Sequence, residues 1–318
     1  MKLYPMKLDF IAKTALWGGD SLRKNYGKNT KVDPLSETWE LTVRENEMST
    51  VQNGRLGGMT LGEVIREAGT AIVSDTWDGE RFPLLIKFID AKECLSVQVH
   101  PTDEYALAHE KDPGKTEMWI ILDAEEGATL IYGSKAGLSQ TELVEGLRER
   151  RFEEVLAEVP AKRGDVFFIP SGLIHAIGKG LVVAEIQQNS DLTYRVYDFD
   201  RRQKDGTLRP LHVEKAMAVA TAYTPEEIEA IRYSRRGKTE ETLADCSYFS
   251  VRRHKISGKR TYVADKTSFH SLLCVEGGGS IVFEEKTYPM IKGNSYFIPA
   301  DLGEYTVYGE MTLIHTTL

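Results

Sequence analysis

The sequence has few cysteines, no long apolar run and no recognisable leader segment. Its three cysteines, Cys94, Cys246 and Cys274, are far apart and odd in number, which excludes a disulfide framework and a C-x-x-C metal pair. We therefore expect a reducing compartment and a cytoplasmic protein. No apolar run reaches membrane-spanning length, and residues 1–6 lack the apolar core and cleavage site of a secretory signal. A membrane partner is not expected.

An excess of positive charge is also missing. The 318 residues carry 40 Lys and Arg against 48 Asp and Glu, a formal net charge of −8. The basic residues are scattered rather than grouped in a tail or stripe, so we expect no nucleic-acid partner. A local basic pocket for an anionic metabolite is still compatible with this total. The length is sufficient for one large or two ordinary globular domains.

Local patterns mostly predict β-strands, joined by short helices. Strands are predicted at 38–43, 84–90, 95–100, 118–122, 129–132, 162–175 and 181–187. The segments 118–122 and 129–132 are expected to pair across a turn, and so are 162–175 and 181–187. Helices are predicted at 60–68, 139–159, 213–222 and 225–231. The charged, glycine-containing stretch 232–241 is interpreted as a linker.

A short internal repeat accompanies these patterns. Residues 293–300 match residues 164–171 in side-chain character, position by position. Eleven residues after each glycine, the first copy has His175 and the second has Glu304. The repeat indicates two related β-barrels, of which the first kept a metal site. Chance is the alternative, since a glycine followed six residues later by proline is a common strand border.

Four side chains form a candidate metal-binding set. The tract 164–175 has a turn glycine, a strand and a Pro-x-Gly corner that ends at His175. Gln98 and His100 are two residues apart, so a strand places both on one face. Glu117 supplies a carboxylate. Imidazole, carboxylate and amide oxygen suit Zn²⁺, and also Mn²⁺, Fe²⁺, Co²⁺ or Ni²⁺.

Each of these residues also has an ordinary structural interpretation. Histidines on strands are more often packed and hydrogen-bonded than bound to a metal. A glutamine is usually a polar residue on a solvated face, and Glu117 could simply pair with Lys115. The joint pattern is far less generic than its parts, and it favours metal binding.

A second set of residues is cationic. Lys87 interrupts an apolar strand, so its charge must be compensated if it is buried. Ser96 and Lys115 each lie two positions before a candidate metal ligand and are expected to face the same side, and Arg195 follows in 189–198. Such a pocket suits a phosphorylated, hydroxyl-rich small molecule. Surface or structural ion pairs are the alternative for these lysines.

Several motifs together resemble one enzyme family over nearly the whole chain. Trp17-Gly18-Gly19, the E-x-W-E segment at 37–40, the L-S-V-Q-V-H-P segment at 95–101 and the K-T-E-M segment at 115–118 are similar to those of type I mannose-6-phosphate isomerase, in its short bacterial form, a bicupin zinc enzyme. The large helical insertion of longer relatives is absent, and only 139–159 fills that place. A generic cupin would carry histidine at Gln98.

The resemblance implies a fold and a set of site residues. The fold would be mainly β, with two cupin (jelly-roll) β-barrels and short helical segments. Residues 1–235 would form the catalytic domain, and residues 240–318 a degenerate cupin domain without a metal site. One Zn²⁺ would bind Gln98, His100, Glu117 and His175, although some short members use only the last three. Arg195 and Lys115 would be catalytic, and the substrate pocket would contain Ser96, Lys87, Lys115 and Asp191.

The implied reaction interconverts mannose 6-phosphate and fructose 6-phosphate through a cis-enediol. Lys115, a hydroxide on the metal, and Asp191 all remain open as the proton carrier. The alternatives in function are a metal cupin enzyme of different specificity, such as another sugar-phosphate isomerase or a dioxygenase, and a non-catalytic bicupin that binds sugar phosphates. The sequence does not fix the oligomeric state, and a homodimer is one arrangement it allows.

Overall fold

The protein is built mainly from β-strands. The computed structural model describes residues 1–203, 205–234 and 241–318, so that most of the predicted linker 232–241 lies outside the described residues. In chain order the strands are β1 Met6–Leu8, β2 Ile11–Lys13, β3 Glu37–Leu41, β4 Val43–Arg44, β5 Glu47–Met48, β6 Leu84–Ala91, β7 Val97–Val99, β8 Glu117–Ala124, β9 Thr129–Ser134, β10 Leu156–Pro160, β11 Val166–Ile169, β12 His175–Ile177, β13 Leu181–Gln188, β14 Tyr194–Tyr197, β15 Thr242–Asp245, β16 Ser250–Ala264, β17 His270–Phe283, β18 Lys286–Ile291, β19 Ser295–Ile298 and β20 Gly303–Thr317.

Short helices connect the strands. They are α1 Ser21–Tyr26, α2 Leu61–Ala68, α3 Asp103–His109, α4 Gln140–Arg148, α5 Phe152–Val155, α6 Val213–Val219 and α7 Pro225–Arg232, with 3₁₀ turns at Gly54–Leu56 and Thr70–Ile72. The predicted helix at 60–68 is present, and its Thr60 hydroxyl accepts the backbone N–H of Glu63 in a capping box. None of the helices in the described parts of the chain is long and apolar enough to cross a bilayer.

Two sheets in the first part of the chain enclose the candidate functional site. One has the strand order β11-β8-β13-β6-β3-β2, and the other has the order β10-β9-β12-β7-β14. The long strands β6 and β13 are buried along their whole lengths, as expected for strands covered on both faces. The two sheets stay open instead of closing into one hydrogen-bonded ring. The mainly β fold class is confirmed.

The C-terminal part forms a third sheet, which also recruits the first strand of the chain. Its order is β1-β19-β17-β20-β16-β15, with β18 added on β17. Met6 pairs with Phe297 and Leu8 with Ser295 in antiparallel register. The predicted division at 235–240 stays a prediction, and the two predicted domains share this sheet.

Two predicted strand pairs do not form. Strand β8 lies in the six-stranded sheet and β9 in the five-stranded sheet, so 118–122 and 129–132 are not a hairpin. The segment 162–175 divides into β11 and β12, which belong to different sheets, and neither pairs with β13. In both places the chain crosses from one sheet to the facing one, and turn chemistry alone does not distinguish such a crossing from a hairpin.

The predicted helix 139–159 is wrong over its last part. Helix α4 ends at Arg148 and helix α5 ends at Val155. Residues 156–160 then form β10, which pairs with β9. The apolar residues of this segment fit a helical period, but residues 156–160 pair with β9 at the edge of the five-stranded sheet. Tertiary pairing overrides weak local propensity here.

The internal repeat corresponds to the same local structure twice. Gly164 and Gly293 have φ of 92° and 88°, a conformation that glycine adopts without strain. Each is followed by a four-residue strand, β11 or β19. A Cβ on Gly293 would lie 2.1 Å from the backbone oxygen of Tyr26. This close approach packs the second copy against α1.

A buried ion pair joins the first sheet to the C-terminal sheet. Lys28 Nζ lies 2.6 Å from Glu40 Oε2 and donates to the backbone oxygen of Gly293, also at 2.6 Å. Glu40 accepts a further hydrogen bond from the Thr38 hydroxyl. Both charged side chains are at most 5% exposed. Burial raises the pKa of Glu40, and the attraction of Lys28 opposes this rise. The ionised form of Glu40 therefore depends on Lys28.

We expect Lys28→Met to destabilise the protein by about 3–5 kcal/mol, because it leaves the Glu40 carboxylate buried without a counter-charge. Urea unfolding measures the loss. Lys24→Met is the matched control, since Lys24 is 73% exposed and its replacement should change the unfolding free energy by no more than about 0.5 kcal/mol. Equal stabilities for the two variants would contradict the structural role of the pair.

Candidate functional site

Three ligand-type side chains converge between the two facing sheets. His100 follows β7, His175 begins β12, and Glu117 begins β8 of the opposite sheet. Their ligating atoms all lie within 4.8 Å of one another. His100 Nε2 is 3.6 Å from Glu117 Oε2, and His175 Nε2 is 3.4 Å from Glu117 Oε1. All three side chains are fully buried.

The histidines are oriented by their second ring nitrogens. His100 Nδ1 donates to the backbone oxygen of Leu192 at 2.7 Å, and His175 Nδ1 donates to that of Leu173 at 2.8 Å. With the proton held on Nδ1, each Nε2 presents a lone pair toward Glu117. Metal-binding histidines in proteins are oriented in this way.

The electrostatics of the cluster also fit a cation. Burial, assisted by the charge of Lys115, lowers the pKa of His100 well below its usual value, and burial lowers the pKa of His175 to about 4. Both imidazoles are therefore neutral at pH 7 and able to ligate. Among the described residues, His100 Nε2 and Glu117 Oε1 have no hydrogen-bond partner. Unpaired buried polar atoms are costly, and a bound ion would satisfy both.

Gln98 lies beside the cluster without joining its carboxylate. Its Nε2 is 3.3 Å from His175 Nε2, and its Oε1 accepts a hydrogen bond from the Ser96 hydroxyl at 3.3 Å. Turning the amide about its terminal bond exchanges nitrogen and oxygen, two atoms that are assigned from their surroundings. The oxygen would then point to the same centre as the two imidazoles.

A cavity of about 290 Å³ opens in front of the cluster. Its lining residues come from both sheets and the connecting loops: Lys13, Thr14, Ala15, Trp17, Ser36, Glu37, Trp39, Lys87, Ile89, Leu95, Ser96, Gln98, Lys115, Ile177, Glu185, Asp191, Thr193, Arg195 and Arg209. Larger grooves exist elsewhere, but this cavity is the one that Gln98 and Lys115 connect to the buried ligands. It is polar and rich in cations.

Buried lysines and carboxylates alternate along one wall. Lys87 Nζ is 3.1 Å from Glu185 Oε2, and Lys115 Nζ is 2.6 Å from Glu117 Oε2. Burial alone would raise the pKa of Glu185, but Lys115 and Lys87 reverse this and lower it. Burial and the neighbouring Glu185 charge raise the pKa of Glu117. Lys115 and Lys87 thus keep Glu185 ionised, whereas burial and Glu185 oppose the charge of Glu117.

Arg195 closes the opposite side. It pairs with Gln98 in the β14–β7 register, its Nε donates to the Ser96 hydroxyl at 3.3 Å, and its Nη1 donates to the backbone oxygen of Pro210 at 3.0 Å. Burial and the nearby Arg209 lower the pKa of Arg195. Asp191 is exposed at the rim of the cavity.

The loop between β13 and β14 holds several of these groups in place. Asp112 Oδ2 accepts the backbone N–H of Asp191 at 2.9 Å and lies 3.0 Å from Arg44 Nη2. Arg44 Nη1 donates to the backbone oxygen of Asn189 at 2.9 Å. The same loop supplies the Leu192 oxygen that orients His100. A charged clamp outside the cavity therefore holds the loop that orients the His100 imidazole.

The structure thus brings together every site residue expected from the sequence, with Asp191 outermost. It also adds Glu185 and Glu37, which the sequence analysis did not select. Glu185 faces Lys87 in register, and Glu37 Oε2 is 3.8 Å from Lys87 Nζ and accepts the Trp39 indole N–H. Glu185 interrupts an apolar strand as Lys87 does, so the same criterion could have found it.

Comparisons with known proteins agree with this fold. Residues 6–121 match the family model for the type I phosphomannose isomerase catalytic domain, and residues 239–318 match the mannose-6-phosphate isomerase cupin domain. The predicted cupin character is confirmed. A mannose 6-phosphate isomerase from Bacillus subtilis has a crystal structure with a TM-score of 0.88 and 38% identity, covering 99% of both chains. A mannosephosphate isomerase from Archaeoglobus fulgidus described as putative, at 21% identity and a TM-score of 0.75, shares the fold.

Curated relatives match along nearly the full length. Mannose-6-phosphate isomerase ManA of Bacillus subtilis (strain 168) is 38% identical over 311 residues, 97% of this chain and 97% of the relative. Mannose-6-phosphate isomerase of Streptococcus mutans is 36% identical over 311 residues, 98% of this chain and 97% of the relative. The chain belongs to the type I mannose-6-phosphate isomerase family.

Proposed function

We propose that this protein is a zinc-dependent isomerase that interconverts mannose 6-phosphate and fructose 6-phosphate. The observation that carries the proposal is the buried His100–Glu117–His175 cluster at the base of a cationic cavity, in a chain of this family. Two neutral imidazoles and one carboxylate, with the Gln98 amide as a fourth donor, match the ligands of a catalytic zinc site. When bound, the ion supplies Lewis-acid stabilisation to sugar oxygens.

The chain's own residues bind and orient the sugar. Arg195 and Ser96 lie on the Gln98 side of the cavity and are suited to contact the oxygens at C1 and C2. Lys87 has a pKa above its ordinary value because Glu185 and Glu37 outweigh the effect of burial, so it stays charged and donates hydrogen bonds. Lys13 and Arg209 are cationic lining residues suited to the phosphate. Fixing the phosphate orients the reacting carbons.

Isomerisation transfers a proton between C2 and C1 through a cis-enediol. A base removes the proton from C2 of the aldose and negative charge develops on O1. The O2 hydroxyl proton passes to O1, and the base returns its proton to C1 to give the ketose. Arg195 is placed to stabilise the developing oxygen charge. Among the side-chain candidates we favour Lys115 as the proton carrier, because it is buried and lines the cavity, whereas Asp191 is exposed at the rim.

We expect Glu117→Gln to weaken zinc binding by at least about ten-fold, the scale seen when metal-site partners are removed, and to lower turnover in parallel. The amide keeps the shape of the side chain but removes the anionic ligand. Metal analysis after dialysis, together with a coupled assay of mannose 6-phosphate, measures both effects. Glu125→Gln, in an exposed turn, is the control. Equal zinc content in the two variants would refute the metal site.

Replacing Arg195 with alanine is expected to lower kcat about 10²- to 10³-fold, as removal of one donor to a developing oxyanion does, while zinc content stays unchanged. Arg195→Lys should recover part of the loss because it restores the charge. The exposed Arg202, changed to alanine, serves as the control.

Near-normal turnover in a zinc-loaded Arg195→Ala protein would rule out this role. Thermal stabilisation by mannose 6-phosphate without product formation would identify a binding protein instead. An anaerobic assay separates the isomerase from an oxygen-dependent cupin enzyme, because isomerisation consumes no oxygen.

A further inference from the structure

Three histidines meet inside the C-terminal sheet, away from the first cavity. His254 lies on β16, His270 on β17 and His315 on β20. The ring centroids of His315 and His270 are 4.4 Å apart, and those of His315 and His254 are 5.4 Å apart. His254 and His315 also line a cavity of about 530 Å³, which shares no lining residue with the first one.

Two nitrogens of this cluster are buried and unsatisfied. His254 and His315 are 2% and 6% exposed, and in the described part of the chain neither Nε2 has a hydrogen-bond partner. His254 Nδ1 is already engaged with the Tyr262 hydroxyl at 2.7 Å. Buried polar atoms without partners are uncommon in native proteins, and they call for a ligand, an ion or a water molecule.

A metal ion does not fit this second cluster. Within the described residues, only His100, Glu117 and His175 gather three ligand-type groups closely enough to hold an ion. The histidines of the C-terminal cavity do not gather in this way, with or without Glu241. Two arginines, Arg252 and Arg260, also line the cavity, and their positive charge opposes a cation.

The charges of the cavity favour an anion instead. Among the described residues, Glu241 is the one acidic residue of the lining, and its two oxygens are paired with Arg260 at 2.7 and 2.9 Å. The charge of Arg252 is left in excess. Arg252 stands opposite His315 in the β16–β20 register, so its guanidinium and the imidazole extend from neighbouring positions of one sheet.

The two histidines are neutral, and a neutral imidazole can donate a hydrogen bond to an anion. Burial lowers the pKa of His254 to about 4 and the pKa of His315 well below its usual value, so both rings are neutral at pH 7. With the Tyr262 hydroxyl donating to Nδ1, the ring proton of His254 lies on Nε2. His254 Nε2 lies 3.5 Å from Glu241 Oε2, a distance that is consistent with a proton on this nitrogen. The unsatisfied nitrogen is then an N–H donor.

We propose that the cavity lined by Arg252, His254, Arg260 and His315 is a second binding site, which takes a phosphate group. A guanidinium with excess charge and a neutral imidazole N–H donor on rigid strands are components of phosphate recognition in proteins. Inorganic phosphate and the phosphate of a sugar ester offer the same chemistry. The site is independent of catalysis in the first cavity.

Calorimetric titration of the zinc-loaded protein with inorganic phosphate tests the site. Wild type should show two binding events, one in each cavity, and Arg252→Gln should weaken one of them at least about ten-fold, as loss of a charge-assisted hydrogen bond does. His315→Phe keeps a ring, removes the nitrogen, and should weaken the same event. Lys255→Gln, exposed on the same strand, is the control. Isomerase turnover should be unchanged in all three variants.

The titration separates this site from the proposed catalytic one. If the first cavity binds no phosphate, wild type shows one event and Arg252→Gln shows none. Identical titrations for Arg252→Gln, His315→Phe and Lys255→Gln would overturn the second site. So would a wild type that shows no event beyond one lost in Arg209→Ala, a change in the first cavity. A parallel titration with mannose 6-phosphate tells whether the ester binds more tightly than the free ion.

Discussion

A buried carboxylate between two imidazoles is the interaction on which the site depends. Glu117 reaches from one sheet toward His100 and His175 on the other, so the two sheets must keep their spacing for the cluster to exist. Removing a carboxylate from water costs several kcal/mol unless other charges compensate it. Lys115 provides part of that compensation, and a divalent cation would provide the rest. Glu117 and His175 lie on strands and His100 directly follows one, so the sheets position the cluster, while the loop after β13 orients the His100 ring.

The convergence of the candidate ligands could be predicted from the sequence because strand geometry has a simple period. Gln98 and His100 share a face since they are two residues apart, and a turn places His175 at the start of a strand. Lys87 was identified as a charge in an apolar strand. Glu185 satisfies the same criterion. Its pairing with Lys87 depends on the β13–β6 register, which the sequence does not show.

Long-range pairing limited the rest of the prediction. Strand positions were mostly right, but both expected hairpins were wrong, since neighbouring segments cross between facing sheets. Likewise, 156–160 pairs as a strand although its residues fit a helical period. The clamp of Asp112 and Arg44 on the loop after β13 joins positions far apart in sequence. A single sequence has no local signal for such contacts.

The placement of β1 in the C-terminal sheet affects how the chain is made. Met6–Leu8 pairs with Ser295–Phe297, almost three hundred residues later. During synthesis, which delivers the N-terminus first, this strand has to wait for its neighbour until residues 295–297 have been made. The pairing of β1 therefore forms late. A fragment that ended before β19 would leave an unpaired strand at its beginning, a potential point of aggregation.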